Sequence, residues 1–153
     1  MKRNYSVLFM CMFILSSCSL NNNDDLQLAP LEKQTFQWHL TNTKGGIAGV
    51  DTDYEMGTII WVFNVNENGD GTLIVQNNNT DETLQDGLDT GSYNISMPVK
   101  NSKSYLFLET HEFGEIITPT QSELIIDQNK MINASGADGF IYTFKRTIIA
   151  GAE

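Results

Sequence analysis

From Gln34 to Arg146 the apolar residues recur at every second position, the spacing of a strand with one face buried and not of a helix. Phe36, Trp38 and Leu40 alternate with Gln37, His39 and Thr41. Ile59, Trp61, Phe63 and Val65 do the same across the run 58–65, and Tyr93, Ile95 and Met97 alternate with Ser92, Asn94 and Ser96. Leu73 and Val75 follow the turn 67–71, and further runs span 104–109, 115–118, 123–127 and 140–146. About eight short strands result, punctuated by Gly45-Gly46, Asn68-Gly69, Asp86-Gly87, Pro98, Pro119 and Asp138-Gly139. The only candidate for a short helix or turn segment lies within residues 80–88. Many short strands with regular turns predict an all-β, antiparallel fold, either an eight-stranded barrel or an immunoglobulin-like β-sandwich. A barrel removes the unpaired edges that such a chain would otherwise expose. Against the barrel, the runs around Ile60, Leu106 and Ile125 are apolar on both faces. A barrel wall exposed to water needs only one apolar face. The barrel therefore requires that a loop or partner cover part of its outer wall.

The start of the chain is built differently. Lys2 and Arg3 precede the apolar run Val7 to Ile14, which continues to Leu15 and ends in Ser16-Ser17-Cys18. The run is shorter than the ~20 residues a membrane-spanning helix needs and has the length of a signal-peptide core. Leu15-Ser16-Ser17-Cys18 resembles the lipobox of bacterial lipoproteins, an aliphatic residue and two small ones before an obligatory cysteine. The resemblance implies that residues 1–17 are removed and that Cys18 carries the lipid. Two or three acyl chains, at about 0.8 kcal/mol per buried methylene, hold a protein on a membrane without a spanning segment. The expected location is the cell envelope, at the outer membrane.

Loss of residues 1–17 removes two basic residues and no acidic ones, which takes the formal charge from −10 to −12. So acidic a protein is repelled by nucleic acid. Cys11 leaves with the signal and Cys18 is alkylated, so no disulfide or cysteine-ligated metal is expected in the domain. Residues 18–33 read as the lipidated cysteine and a tether, with Asn21 to Asp25 polar and Pro30 breaking regular structure. Asp24-Asp25 resembles an acidic signal for surface display in some Gram-negative lineages, and serves equally as a solvated linker.

Little in the chain points to catalysis. Its two histidines are His39, expected to face outward from a strand, and His111, in a polar turn. No Gly-x-Ser-x-Gly elbow is present, and we expect neither enzyme activity, nor a metal, nor a cofactor. Asn66-Glu67-Asn68-Gly69-Asp70-Gly71 has the oxygen spacing of half a calcium loop. The twelfth position is Asn77 in place of the required glutamate. Asn-Gly and Asp-Gly are also what a tight hairpin demands, and the hairpin is the expectation. The acidic stretches 51–55 and 81–89 are read as solvated loops. The remaining constellation is aromatic: Trp61, Phe63, Tyr93, Tyr105, Phe107 and Tyr142, candidates to line a site for a small apolar ligand. An eight-stranded barrel is either filled by side chains or holds one such ligand.

The strand order and its motifs resemble small bacterial lipocalin-like proteins over residues 34–147. The matching segments are Thr35-Phe36-Gln37-Trp38, then Trp61-Val62-Phe63 with Gly69-Asp70-Gly71, then Gly91-Ser92-Tyr93 and finally Asp138 to Arg146. The resemblance implies a lipocalin-like barrel over residues 34–149, closed at its bottom by Trp38 on the first strand packed against Arg146 near the end. The family's first strand has a glycine two residues before the tryptophan, where this chain has Phe36. Two functions follow as expectations. One is binding of a small apolar molecule inside the barrel. The other is docking of an envelope protein on the apolar outer faces near Ile60, Leu106 and Ile125 of a filled barrel.

Overall fold

The computed structural model describes residues 35–132 and 136–149. The signal, Cys18 and the tether lie outside them. Ten strands form one antiparallel sheet that closes on itself: β1 (Thr35–Gly45), β2 (Val50–Asp53), β3 (Ile59–Val65), β4 (Asp70–Asn77), β5 (Gly91–Ser96), β6 (Val99–Lys100), β7 (Lys103–Leu108), β8 (His111–Thr120), β9 (Glu123–Asp127) and β10 (Phe140–Ile149). Eight make the ring, in the order β1-β3-β4-β5-β7-β8-β9-β10, and pairing of β10 with β1 closes it. The fold is a closed antiparallel eight-stranded β-barrel, consistent with a lipocalin-like barrel, and the sandwich alternative is excluded. None of the described residues is helical; 80–88 forms turns instead.

The closing seam is the longest pairing, running from Thr35↔Ile149 to Gly45↔Phe140. A bulge between Leu40 and Asn42 lets β1 bend along it. β2 lies outside the ring and was not legible in the alternation. It folds back on the upper half of β1, Asn42↔Asp53 to Gly45↔Val50, while β3 pairs with the lower half at Trp38↔Trp61. All ring strands alternate in direction. The lower end therefore holds the starts of β1, β4, β7 and β9, the short turns 66–69 and 121–122, the 97–102 connection, and the end of β10. The upper end holds the longer connections 46–49, 54–58, 78–90 and 128–139.

The alternation delivers the core. Leu40, Ile59, Trp61, Leu73, Leu106, Ile126 and Phe144 are all fully buried inside the ring. Trp61 sits at its centre, with ring centroids 4.9 Å from Phe144, 5.9 Å from Phe113 and 6.2 Å from Phe63. Such tilted pairs contribute about 0.5–1.5 kcal/mol each beyond area burial.

The strands that are apolar on both faces have a structural reason. Outside the ring, Tyr105, Glu115 and Asp127 share one row across β7, β8 and β9, and all three are buried. The 128–139 connection returns to this wall. Glu115 N–H donates to the Lys130 carbonyl, and Ile132 N–H donates to the Glu112 carboxylate. Lys130 and Lys103 pair with Asp127 and Glu115 at 3.1 and 3.0 Å. The chain thus covers part of its own outer wall.

The 66–70 turn is a hairpin. Asn66 Oδ1 accepts from the Asn68 and Asp70 backbone N–H groups at 2.9 and 3.1 Å, and Gly69 has φ +85°. The oxygen that would open a calcium loop is spent on holding the turn. At Gly71 the β3 backbone comes so close that an added Cβ would stand 2.0 Å from the Asn64 carbonyl oxygen. We predict that Gly71→Ala lowers the unfolding free energy by about 1–3 kcal/mol or more, since the contact is with backbone that cannot yield. Urea denaturation measures it, and an unchanged midpoint would contradict this strand register.

Candidate functional site

Two places inside the ring differ from the packed middle. The first is at the lower end. Trp38 from β1, Phe63 from β3, Met97 just after β5, Ile116 from β8 and Leu124 from β9 line an open apolar hollow of about 170 Å³. Each is an inward position near the lower end of its strand, where the barrel widens below Trp61. Drug-sized ligands occupy pockets of about 300–1,000 Å³. An apolar cavity of about 150 Å³ takes a benzene-sized guest. The hollow therefore accepts a single ring or a short length of alkyl chain, with the rest of a larger molecule outside.

Arg146 stands at this mouth. Its guanidinium carbon is 4.6 Å from the centroid of Phe36 and 5.9 Å from that of Trp38. Arg146 lies over Trp38, but Phe36 is the nearer ring and this end of the barrel stays open. Phe36, two residues before Trp38, is the arginine's main platform. Cation–π contact of this kind contributes about 0.5–2 kcal/mol. Trp38 and Arg146 also line a second hollow, of about 430 Å³, with 118–121 of the β8–β9 turn.

The second place is the upper end. Thr43 on β1 faces Tyr142 on β10, and Tyr54 follows β2 into the barrel. The backbone of Gly87 passes beside the rings of Trp61 and Tyr142 and, with Leu88, closes this end. The 78–90 connection holds its shape through its own polar side chains. Asp86 Oδ2 accepts from Asn77 and Asn79 at 2.9 and 2.8 Å, and Asp81 Oδ1 accepts from the Thr83 hydroxyl at 2.6 Å. Thr43 Oγ1, the Tyr54 hydroxyl and Trp61 Nε1 are buried without a protein hydrogen-bond partner. Burial, with smaller contributions from Tyr54 and Asp86, pushes the Tyr142 phenol up to about 12. Burial likewise raises Tyr54.

No protein-family model, curated protein or solved structure matches the chain.

Of the aromatic set expected from the sequence, Trp61, Phe63, Tyr93 and Tyr142 share the interior. Only Phe63 reaches the apolar hollow; Trp61 and Tyr142 are part of the packed middle and upper end. Tyr105 and Phe107 flank the core residue Leu106, and register places them on the outer wall beside Glu115 and Glu112. Met97, Ile116 and Leu124 were not anticipated. Their signal was an inward position on the lower part of the barrel, which the aromatic pattern hid.

His39 faces outward as expected, but it is not exposed. Register turns it outward, beside Lys145 and Ile60, yet it is buried, with Nε2 2.8 Å from the Thr147 hydroxyl and Nδ1 unpartnered. Burial lowers its pKa from 6.5. His111 opens β8 and is exposed. Among the described residues, no group of three or more His, Cys, Asp or Glu is placed to hold a metal ion.

Both buried titrating groups predict a pH dependence. Burial disfavours the charged form of His39, so below the ordinary histidine value the unfolded state binds more protons than the native state. Stability falls as pH drops below about 6.5, and His39→Gln flattens that slope. Tyr142 is held protonated in the native state while the unfolded phenol ionises near 10, so stability is lost between about pH 10 and 12. Tyr142→Phe removes that part of the loss, roughly 3 kcal/mol at most. Thermal melts across pH, followed by near-ultraviolet circular dichroism, measure both.

Proposed function

We propose that the protein is a lipid-anchored lipoprotein of the cell envelope, of lipocalin-like type, whose barrel binds a small apolar group at its Trp38 end. The anchor is Cys18, supported by the signal-like run before it and the lipobox-like Leu15 to Cys18. The observation that carries the binding reading is the open hollow lined by Trp38, Phe63, Met97, Ile116 and Leu124, with a cation at its mouth. Apolar lining gives a guest burial energy of about 25 cal/mol per Å². Arg146 offers the one feature that can orient a polar head. The middle of the barrel supports no larger ligand, because Trp61, Phe144 and their neighbours fill it. The protein acts by holding its guest, with no chemical step.

The outer wall supports a second reading, an interaction module. Ile74 is 46 % exposed and pairs with Val62 on the outer face of β3 and β4. No loop of the kind that covers Tyr105 is hydrogen-bonded over this wall among the described residues.

Native mass spectrometry of the protein drawn from its own envelope decides between them. We expect an added mass that disappears on unfolding and that Ile116→Phe, which fills the hollow, abolishes without lowering the melting point by more than a few degrees. A bare mass in both forms, with a polypeptide that co-purifies and is lost on Ile74→Asp, would favour the docking surface instead.

A further inference from the structure

The two ends of the barrel differ in charge and in apolarity, and the difference is directional. Of the large apolar side chains that are exposed among the described residues, most gather at the lower end: Phe36 at 40 %, Val65 at 40 %, Val99 at 70 %, Ile148 at 54 % and Ile149 at 43 %. They ring the apolar hollow. Phe36 and Ile148 face each other across the seam, Val65 closes β3, and Val99 lies in the short strand of the 97–102 connection. Elements this close to water would ordinarily carry polar residues, and an exposed contiguous apolar rim marks a contact surface.

Charge follows the same axis. Lys100, Lys103, Lys145 and Arg146 lie toward the lower end, against Glu67, Asp70 and Glu123. The upper connections carry Asp51, Asp53 and Glu55 around β2, and Asp81, Glu82, Asp86 and Asp89 between β4 and β5. Among the described residues the apolar end thus holds four of the six cations, and the opposite end holds Lys44, Lys130 and most of the carboxylates. An anionic lipid surface attracts the first and repels the second. The path of the chain gives a third, independent indication. β1 starts at Thr35 on the lower rim, so the segment that joins the barrel to Cys18 enters at this end.

We propose that the Trp38 end is the face the barrel lays against a lipid bilayer, with Phe36, Val65, Val99 and Ile148 in the headgroup region and the acidic upper loops turned away. The proposal rests on the reading of Cys18 as a lipid anchor. Apolar tips set among lysine and arginine suit this role, since the apolar groups gain from the interface while the cations meet anionic headgroups. The orientation also turns the mouth of the hollow toward the bilayer, so that an apolar guest passes between lipid and barrel without crossing water.

The test places a single reporter at each end. Val99→Cys and Ile47→Cys (Ile47 is 89 % exposed in the upper loop after β1) change exposed side chains only, so folding is preserved. Each full chain is produced in a host that acylates lipoproteins, labelled with an environment-sensitive fluorophore, and reconstituted into vesicles of phosphatidylethanolamine and phosphatidylglycerol. We expect the reporter at position 99 to shift to the blue and to lose most of its emission when brominated lipids are included, while the reporter at 47 changes little. Equal exposure of both reporters, or quenching at 47 instead, overturns the orientation. A blue shift at 99 that brominated lipid does not quench also overturns it, because a second protein copy then covers the rim. The unsubstituted protein is the control for the anchor. If its Cys18 accepts the label and it fails to float with vesicles, the anchor reading has failed and the orientation falls with it.

Discussion

Everything in the barrel depends on the pairing of β1 with β10. Strands adjacent in the chain pair through hairpins, which are local and form readily. The seam joins residues 95 to 114 positions apart, and only its length, from Thr35↔Ile149 to Gly45↔Phe140, offsets the entropy of closing so large a loop. Without it, β1 and β10 would each present an open edge. Arg146 reinforces the seam where it ends, because its guanidinium stacks on Phe36 and Trp38 across the same pairing. The described residues contain no cysteine, so no disulfide fastens the seam covalently. It holds by hydrogen bonds, the facing core residues Leu40 and Phe144, and this stack.

Closure also explains why the two ends are unlike. A ring of alternating strands has connections at both ends, and here the two longest, 78–90 and 128–139, are both above. Short turns leave the lower mouth uncovered, so the rings of Trp38 and Phe63 border open space. The long 78–90 connection reaches across the upper mouth, held by the asparagine–aspartate bonds around Asp86, and brings Gly87 against Trp61 and Tyr142. The orphaned hydroxyl of Thr43 and Nε1 of Trp61 lie at that covered end. Buried polar groups normally find partners, and these are the clearest departures from that rule inside the ring.

Much of the fold was legible because alternation is a direct image of burial. Each of the eight ring strands coincides with an apolar run of the sequence, and the inward residues of β1, β3 and β10 are those that a period of two selects. β2 escaped because Val50-Asp51-Thr52-Asp53 pairs only with the upper part of β1 and carries carboxylates on its open side. Burial of His39 escaped for a different reason. Alternation sorts residues into inner and outer faces, but it does not see what the rest of the chain lays over the outer face. Tyr105 and Phe107 were misplaced by the same blindness. They read as interior aromatics, and they lie instead on the outer wall, where Tyr105 is buried beside Glu115. The hollow was hidden because it is defined by where packing stops, at Met97, Ile116 and Leu124, and composition carries no mark of that.

The packed middle decides what kind of binding the barrel can support. Trp61 and Phe144 act as a floor, dividing the interior into a closed upper part and an open lower one. A guest that entered from above would have to displace the 78–90 connection and its hydrogen bonds. A guest that entered from below meets only side chains, and Met97 is the most adaptable of them, with a flexible, polarizable stem that can repack around different shapes. The arginine at that mouth is held over rings and, among the described residues, has no carboxylate within ion-pair distance, in a chain where carboxylates outnumber cations about two to one. An arginine so placed keeps its donors available while its charge is balanced only by the π faces beneath it. Apolar room, an adaptable wall and a cation with free donors coincide at one end, and that end is also where the chain enters the barrel.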